Sequence, residues 1–181
     1  MSGKPRARRA FNGAQQDYFG YSVALSGENA LVGAYSADPD GVNGAGAAYI
    51  FLRSGTTWKQ VAQPLFADGL AQDTFGYSVS LSGDTALVGA PFANVGANDS
   101  QGAADIFGRN QGSADGWGQA KKLTASDGTS FDYFGISVSL DRASMNGQTA
   151  LVGANGFEAA YIFELNTGGQ GNWGEIGRAH V

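Results

Sequence analysis

Three aspartates, Asp17, Asp73 and Asp132, each stand two residues ahead of a Phe-Gly pair in this 181-residue chain. A set of carboxylates could share general acid and base work. The Phe-Gly pairs begin at Phe19, Phe75 and Phe134, steps of 56 and 59 residues, so each aspartate occupies the same place in its own repeating unit. Such a residue is expected to accept hydrogen bonds from the turn that opens its own strand. His180 is the one imidazole available for proton transfer. It lies in the terminal EIGRAHV, which reads as translated sequencing-adapter read-through, so 175–181 is set aside as a non-native tail. The absence of cysteine excludes disulfides, thiol catalysis and thiolate metal sites. No Ser-His-Asp set, nucleotide loop or histidine metal motif is present, and no residue is assigned as catalytic, cofactor-binding or metal-ligating.

The elements that carry the aspartates repeat as well. DYFGYSVALSGENALVGA (Asp17 to Ala34), DTFGYSVSLSGDTALVGA (Asp73 to Ala90) and DYFGISVSLDRASMNGQTALVGA (Asp132 to Ala154) alternate apolar and small residues with period two, a strand signal. Phe19, Tyr21, Val23 and Leu25 are expected on one face, against Gly20, Ser22, Ala24 and Ser26 on the other. Phe75, Tyr77, Val79 and Leu81 oppose Gly76, Ser78, Ser80 and Ser82 in the same way. Broad and thin faces suit sheets stacked about 10 Å apart. A turn at Ser26-Gly27-Glu28-Asn29 or Ser82-Gly83-Asp84-Thr85 leads to a second strand, Ala30 to Ala34 in the first unit. A third strand is predicted at Ala47–Phe51, Ala103–Phe107 and Ala159–Phe163, and a fourth begins at Trp58, Trp117 and Trp173. Four short strands per unit describe an all-β fold of antiparallel β-propeller blades. The tryptophans, Tyr49 and Tyr161 read as blade-packing residues. Asp105 replaces a tyrosine in the middle blade and points to a polar neighbour or an edge position.

Length differences fall between strands. The third unit gains five residues around Arg142 to Asn146 and loses eight before its third strand, the pattern of a constant scaffold with variable loops. The predicted division is a basic tail at 1–13 (with Lys4, Arg6, Arg8 and Arg9), then blades at 14–69, 70–128 and 129–174, the last without its outer strand after Trp173. Net charge is −5 with 29 glycines, so a nucleic-acid partner is disfavoured. No apolar run approaches the roughly 18 to 20 residues that span a bilayer, which argues against membrane insertion.

Phe-Gly followed by Val-Gly-Ala, with Pro91 completing Gly-Ala-Pro in the middle unit, resembles the FG-GAP repeat over about Asp17 to Trp173. The resemblance is to the bacterial variety of a family that forms integrin-α-type propellers. It implies a cell-surface or secreted location and a ring of about seven blades, within the roughly four to eight that close a propeller. Three units then read as a fragment, with further blades supplied by a longer chain or by self-association. The family's calcium loop does not carry over. The hairpins of units one and two are too short, and the register that puts Asp141 at the first ligand place leaves Ala143, Met145 and Thr149 at others. Asp38, Asp40 and Asn43 read as a solvated turn rather than a cation site. No cofactor is expected, and chelation is expected to leave stability unchanged.

The favoured function is a non-catalytic binding or adhesion module whose variable loops meet a protein or glycan ligand. The alternatives are part of a propeller enzyme, a glycan lyase or hydrolase with its catalytic residues elsewhere, or a structural spacer in a surface protein.

Overall fold

The computed structural model describes residues 15–62, 70–111, 116–144 and 147–180. The basic tail predicted at 1–13 therefore lies outside the described residues. Among the described residues, twelve strands form three antiparallel four-stranded sheets. Blade one holds β1 (Ser22–Ser26), β2 (Asn29–Ala34), β3 (Ala47–Ser54) and β4 (Thr57–Ala62). Blade two holds β5 (Ser78–Ser82), β6 (Thr85–Ala90), β7 (Ala103–Arg109) and β8 (Trp117–Leu123). Blade three holds β9 (Phe134–Ser144), β10 (Gly147–Ala154), β11 (Ala159–Leu165) and β12 (Trp173–His180). Each sheet is a meander in chain order. Helical geometry among the described residues is limited to a short 3₁₀ turn at Pro39–Gly41.

Local chemistry explains the strands and their turns. β1 and β2 pair from Ser22↔Gly33 to Ser26↔Asn29, and β5 and β6 repeat that register from Ser78↔Gly89 to Ser82↔Thr85. Gly27 (φ 57) and Gly83 (φ 59) take the first central turn position, where two-residue hairpins require a left-handed backbone that glycine adopts without strain.

The blades nest as the alternation predicts. The thin face of blade one, with Ala24, Leu31, Ala48 and Ile50, packs against Phe75, Val79, Leu81, Val88 and Phe107 of blade two. Leu87, Ala104 and Ile106 of blade two meet Phe134, Leu140, Val152 and Phe163 of blade three in a second core. Serine hydroxyls stitch the same joints: Ser22 Oγ donates to the Gly76 carbonyl at 2.8 Å and Ser78 Oγ to that of Gly135 at 2.7 Å. A β-carbon on Gly33 would lie 2.0 Å from the Gly76 carbonyl oxygen, and one on Gly89 equally close to that of Gly135. Glycine in Val-Gly-Ala is thus a clearance that lets two main chains touch across the blades.

Two faces have no neighbouring blade among the described residues. On the broad face of blade one, Val23 and Leu25 are 68% and 73% exposed, where Leu81 and Leu140 in the next blades are 7% and 8%. A shallow depression of about 460 Å³ there is lined by Phe19, Ala30, Val32, Phe51 and Trp58. On the thin face of blade three, Ser137, Gly153 and Ala160 line an open groove.

The chain's C-terminal part differs from the sequence-based expectation. Blade three does not lose its outer strand: β12 continues from Trp173 through the segment set aside as a tail, pairing from Leu165↔Trp173 to Ala159↔His180. An outer strand is held by main-chain hydrogen bonds that ask little of its side chains, and beyond Trp173 those of β12 are mostly exposed. Tyr21 and Tyr77 also leave the expected face. β1 and β5 begin one residue later, at Ser22 and Ser78, so both tyrosines sit before the pleat that would fix their direction.

Candidate binding face

In a meandering sheet the start of the first strand, the end of the second and the start of the third share one end. That end gathers the Asp-x-Phe-Gly segments and the loops 35–46, 91–102 and 155–158, which include the shortened loop of blade three. The aspartates are built into it. Asp73 and Asp132 are each 3% exposed, flanked by left-handed residues, Gln72 (φ 69) and Thr74 (φ 57) in one case, Phe131 (φ 68) and Tyr133 (φ 56) in the other. Asp73 Oδ2 accepts from the Leu70 amide at 2.7 Å. Asp132 Oδ2 accepts from the Thr129 amide at 2.6 Å, and its Oδ1 from Thr129 Oγ1 at 2.9 Å. These carboxylates cap their own turns, as the sequence implied. Asp17 is buried in the equivalent place, between Gln16 (φ 77) and Tyr18 (φ 54).

The loop of each of the first two blades clasps the opening of the next. Gln72, Thr74 and Phe75 amides donate to the carbonyls of Asn43, Gly44 and Ala45 at 2.9, 3.2 and 2.8 Å. Phe131, Tyr133 and Phe134 repeat the pattern on Asp99, Ser100 and Gln101 at 2.8, 3.2 and 2.8 Å. Gly46 (φ 82) and Gly102 (φ 86) end these loops, where a β-carbon would lie 2.1 and 2.2 Å from the carbonyl oxygens of Phe75 and Phe134. Blade three departs here. The residue at this place is Glu158, left-handed (φ 51) and exposed, after a loop trimmed by eight residues.

Aromatic side chains run across the same end. Tyr18 stacks on Tyr35 with centroids 5.0 Å apart, and Tyr35 meets Tyr21 at 4.6 Å and Tyr77 at 5.5 Å. Phe92 lies 6.3 Å from Tyr77 and 5.3 Å from Tyr133, which continues to Phe131 at 6.4 Å. Tyr18, Tyr21, Phe92 and Phe131 are exposed. Burial and the neighbouring phenols Tyr18 and Tyr21 raise the Tyr35 pKa above its ordinary value, and a hydrogen bond with Tyr21 raises that of Tyr77. Tyr35 and Tyr77 therefore stay neutral through the physiological range. Beside Phe92 is a cleft of about 360 Å³ lined by Gln72, Asp73, Thr74, Asn94 and Ser100.

The Phe-Gly and Val-Gly-Ala residues thus hold the blades in contact, and the sequence pattern of the FG-GAP repeat matches residues 9–51, 58–107 and 117–163. The chain belongs to the FG-GAP repeat family. No curated protein matches it. Each matched FG-GAP segment ends on the phenylalanine of a third strand: Phe51, Phe107 or Phe163.

The remaining candidates of the FG-GAP repeats fall into structural places. Asp38 Oδ1 accepts from the Gly44 amide at 2.7 Å, while Asp40 and Asn43 are exposed. Asp141 lies in the β9–β10 ladder opposite Thr149, so the extra residues of that hairpin lengthen two strands. Met145 lies outside the described residues. Asp105 is fully buried on β7, where its Oδ1 accepts from Gln119 Nε2 at 2.5 Å, the polar neighbour that is one of the two readings the sequence leaves open. Trp58, Trp117 and Trp173 lie at or next to the start of the fourth strands. Exposed His180 packs edge-to-face on the Phe157 ring, with centroids 5.2 Å apart. Tyr161 Oη donates to Asp127 Oδ1 at 2.8 Å, and Arg178 pairs with Asp127 Oδ2 at 2.7 Å. Burial, then the Asp127 carboxylate, pushes the Tyr161 pKa well above that of an ordinary phenol. Partial burial opposes ionisation of Asp127, but the Tyr161 hydroxyl and Arg178 outweigh it and hold its pKa below the ordinary value. The aromatic row is the feature that the period-two reading missed; Tyr18 and Tyr133, at the same place before Phe-Gly, are its trace in the sequence.

Proposed function

We propose that this FG-GAP propeller-type module is a non-catalytic binding or adhesion unit, acting at the cell surface or after secretion, whose loop end meets a protein or glycan. The supporting observation is that the trimmed loop of blade three and the exposed aromatic row occupy one end of three near-identical blades. Loops on a rigid scaffold vary without disturbing the core beneath them, and exposed apolar clusters mark interaction sites. The capping role of Asp73 and Asp132 supports the non-catalytic part, since a carboxylate committed to amide donors is poorly placed for proton transfer. The test is to probe the purified chain against arrays of glycans and of extracellular proteins, with bound glycans analysed for cleavage. Saturable capture without turnover is expected. A cleaved product, or no ligand on either array, would sink the proposal.

A further inference from the structure

Phe92 is 40% exposed although it belongs to the middle blade and has a blade on either side. The exposure of Val23 and Leu25 on blade one reflects a stacking face without its neighbour; that of Phe92 does not, because its ring contacts Tyr77 of its own blade and Tyr133 of the next. Because Phe92 is continuous with Tyr77, Tyr133 and Phe131, its exposure belongs to an aromatic patch, of the kind that marks an interaction site, rather than to a lone surface side chain.

The cleft beside it has a definite chemical character. Its polar lining consists of amides and hydroxyls, from Gln72, Asn94, Thr74 and Ser100, plus Asp73. Asp73 turns its carboxylate to the Leu70 amide, and no basic side chain lines the cleft among the described residues. A phosphate or sulfate group would find no cation there. Asn94 Oδ1 accepts from the Ser100 amide at 2.8 Å, which fixes the side-chain amide and leaves its NH₂ group as a donor. A neutral ligand with one apolar face and a rim of hydroxyls matches an aromatic plate edged by uncharged donors and acceptors.

We infer that this cleft is a saccharide subsite, in which the Phe92 ring packs on the apolar face of a neutral pyranose while Gln72, Asn94 and Ser100 hydrogen-bond its hydroxyls. Tyr77 and Tyr133 flank that ring, standing at 70° and 62° to its plane. The inference rests on the binding-module reading and deepens it by choosing glycan over protein and naming the place.

The test titrates the 181-residue chain calorimetrically with hexasaccharides of β-1,4-linked glucose, N-acetylglucosamine, xylose and mannose, and with hexagalacturonate as the acidic contrast, alongside the glycan and protein arrays. Binding of a neutral hexasaccharide is expected, weakened about tenfold or more by Phe92→Ala and several-fold by Asn94→Ala, and retained in Phe92→Tyr. Thermal melting of each variant checks folding; Phe92 is exposed enough for its truncation to leave the blades intact. A neutral glycan bound equally by wild type and Phe92→Ala overturns the subsite while leaving the module a glycan binder. Capture of a protein with no glycan bound overturns the saccharide inference alone, as does preference for the hexagalacturonate. No ligand of either kind overturns this inference and the proposed function together.

Discussion

The hydroxyl of Ser22 donates to the main-chain carbonyl of Gly76 at 2.8 Å, and the β-carbon position of Gly33 lies 2.0 Å from the same oxygen. One carbonyl thus reads two residues of the neighbouring sheet, demanding a donor at one and empty space at the other. Ser22→Ala should cost about 1 kcal/mol, the loss of one hydrogen bond at a partly buried site. Gly33→Val should cost about 3 kcal/mol or more, because main chain rather than a flexible side chain must move. Gly27→Asn, in a turn with open space but a left-handed backbone (φ 57), should cost only about 1 kcal/mol, the strain of a side chain at that φ. Denaturant melts of the three variants check the order, and a Gly33→Val protein as stable as wild type would contradict the joint.

Asp132 accepts two hydrogen bonds from Thr129 at the opening of blade three. Asp132→Ala should therefore destabilise the chain by about 1–3 kcal/mol, by stranding donors and releasing a left-handed turn. Asp73→Ala should act in the same direction. Unfolding curves that match wild type would remove the capping role.

Tyr161 and Asp127 give stability a pH dependence of known sign. The folded Tyr161 pKa is raised, so its contribution is whole below the unfolded value of about 10 and disappears as pH climbs through the folded one. The folded Asp127 pKa is lowered, so its contribution holds above the ordinary carboxyl range and is lost as pH falls through the folded value. In an ultraviolet titration, Tyr161 should resist ionisation until the chain unfolds, and Tyr161→Phe should remove one phenol from the late-ionising group. Seven phenols ionising together in folded protein would refute the assignment.

Leu25, 73% exposed on the broad face of blade one, occupies the place that Leu81 and Leu140 fill when buried. Self-association of the purified chain is expected through this face, as uncovered apolar surface seeks a partner. Leu25→Lys should lower the weight-average mass in sedimentation equilibrium without lowering the melting temperature. Unchanged association would place the contact elsewhere.

Much of this architecture was legible in the sequence because few residues determine it. Alternation from Phe19 to Ser26 gave the faces, and repetition gave the blades, since each strand has the same job in every unit. Tyr21 and Tyr77 escaped that logic: they precede their strands, where period two has no force, and their ring contacts depend on how one blade sits against the next. The clasp from Asn43, Gly44 and Ala45 was also invisible, because main-chain carbonyls leave no mark on residue type. The run of β12 past Trp173 escaped detection for a related reason, its pairing being carried by backbone rather than by a recognisable pattern of side chains.

Glu158 has a consequence for anyone who rearranges these units. Gly46 and Gly102 admit the main chain of a following Phe-Gly segment, whereas Glu158, at the equivalent place, carries the β-carbon that those glycines lack. The modules are not interchangeable bricks: a concatemer grown by duplicating the middle unit would keep its pitch from copy to copy, while one grown from the third would jam at its first junction.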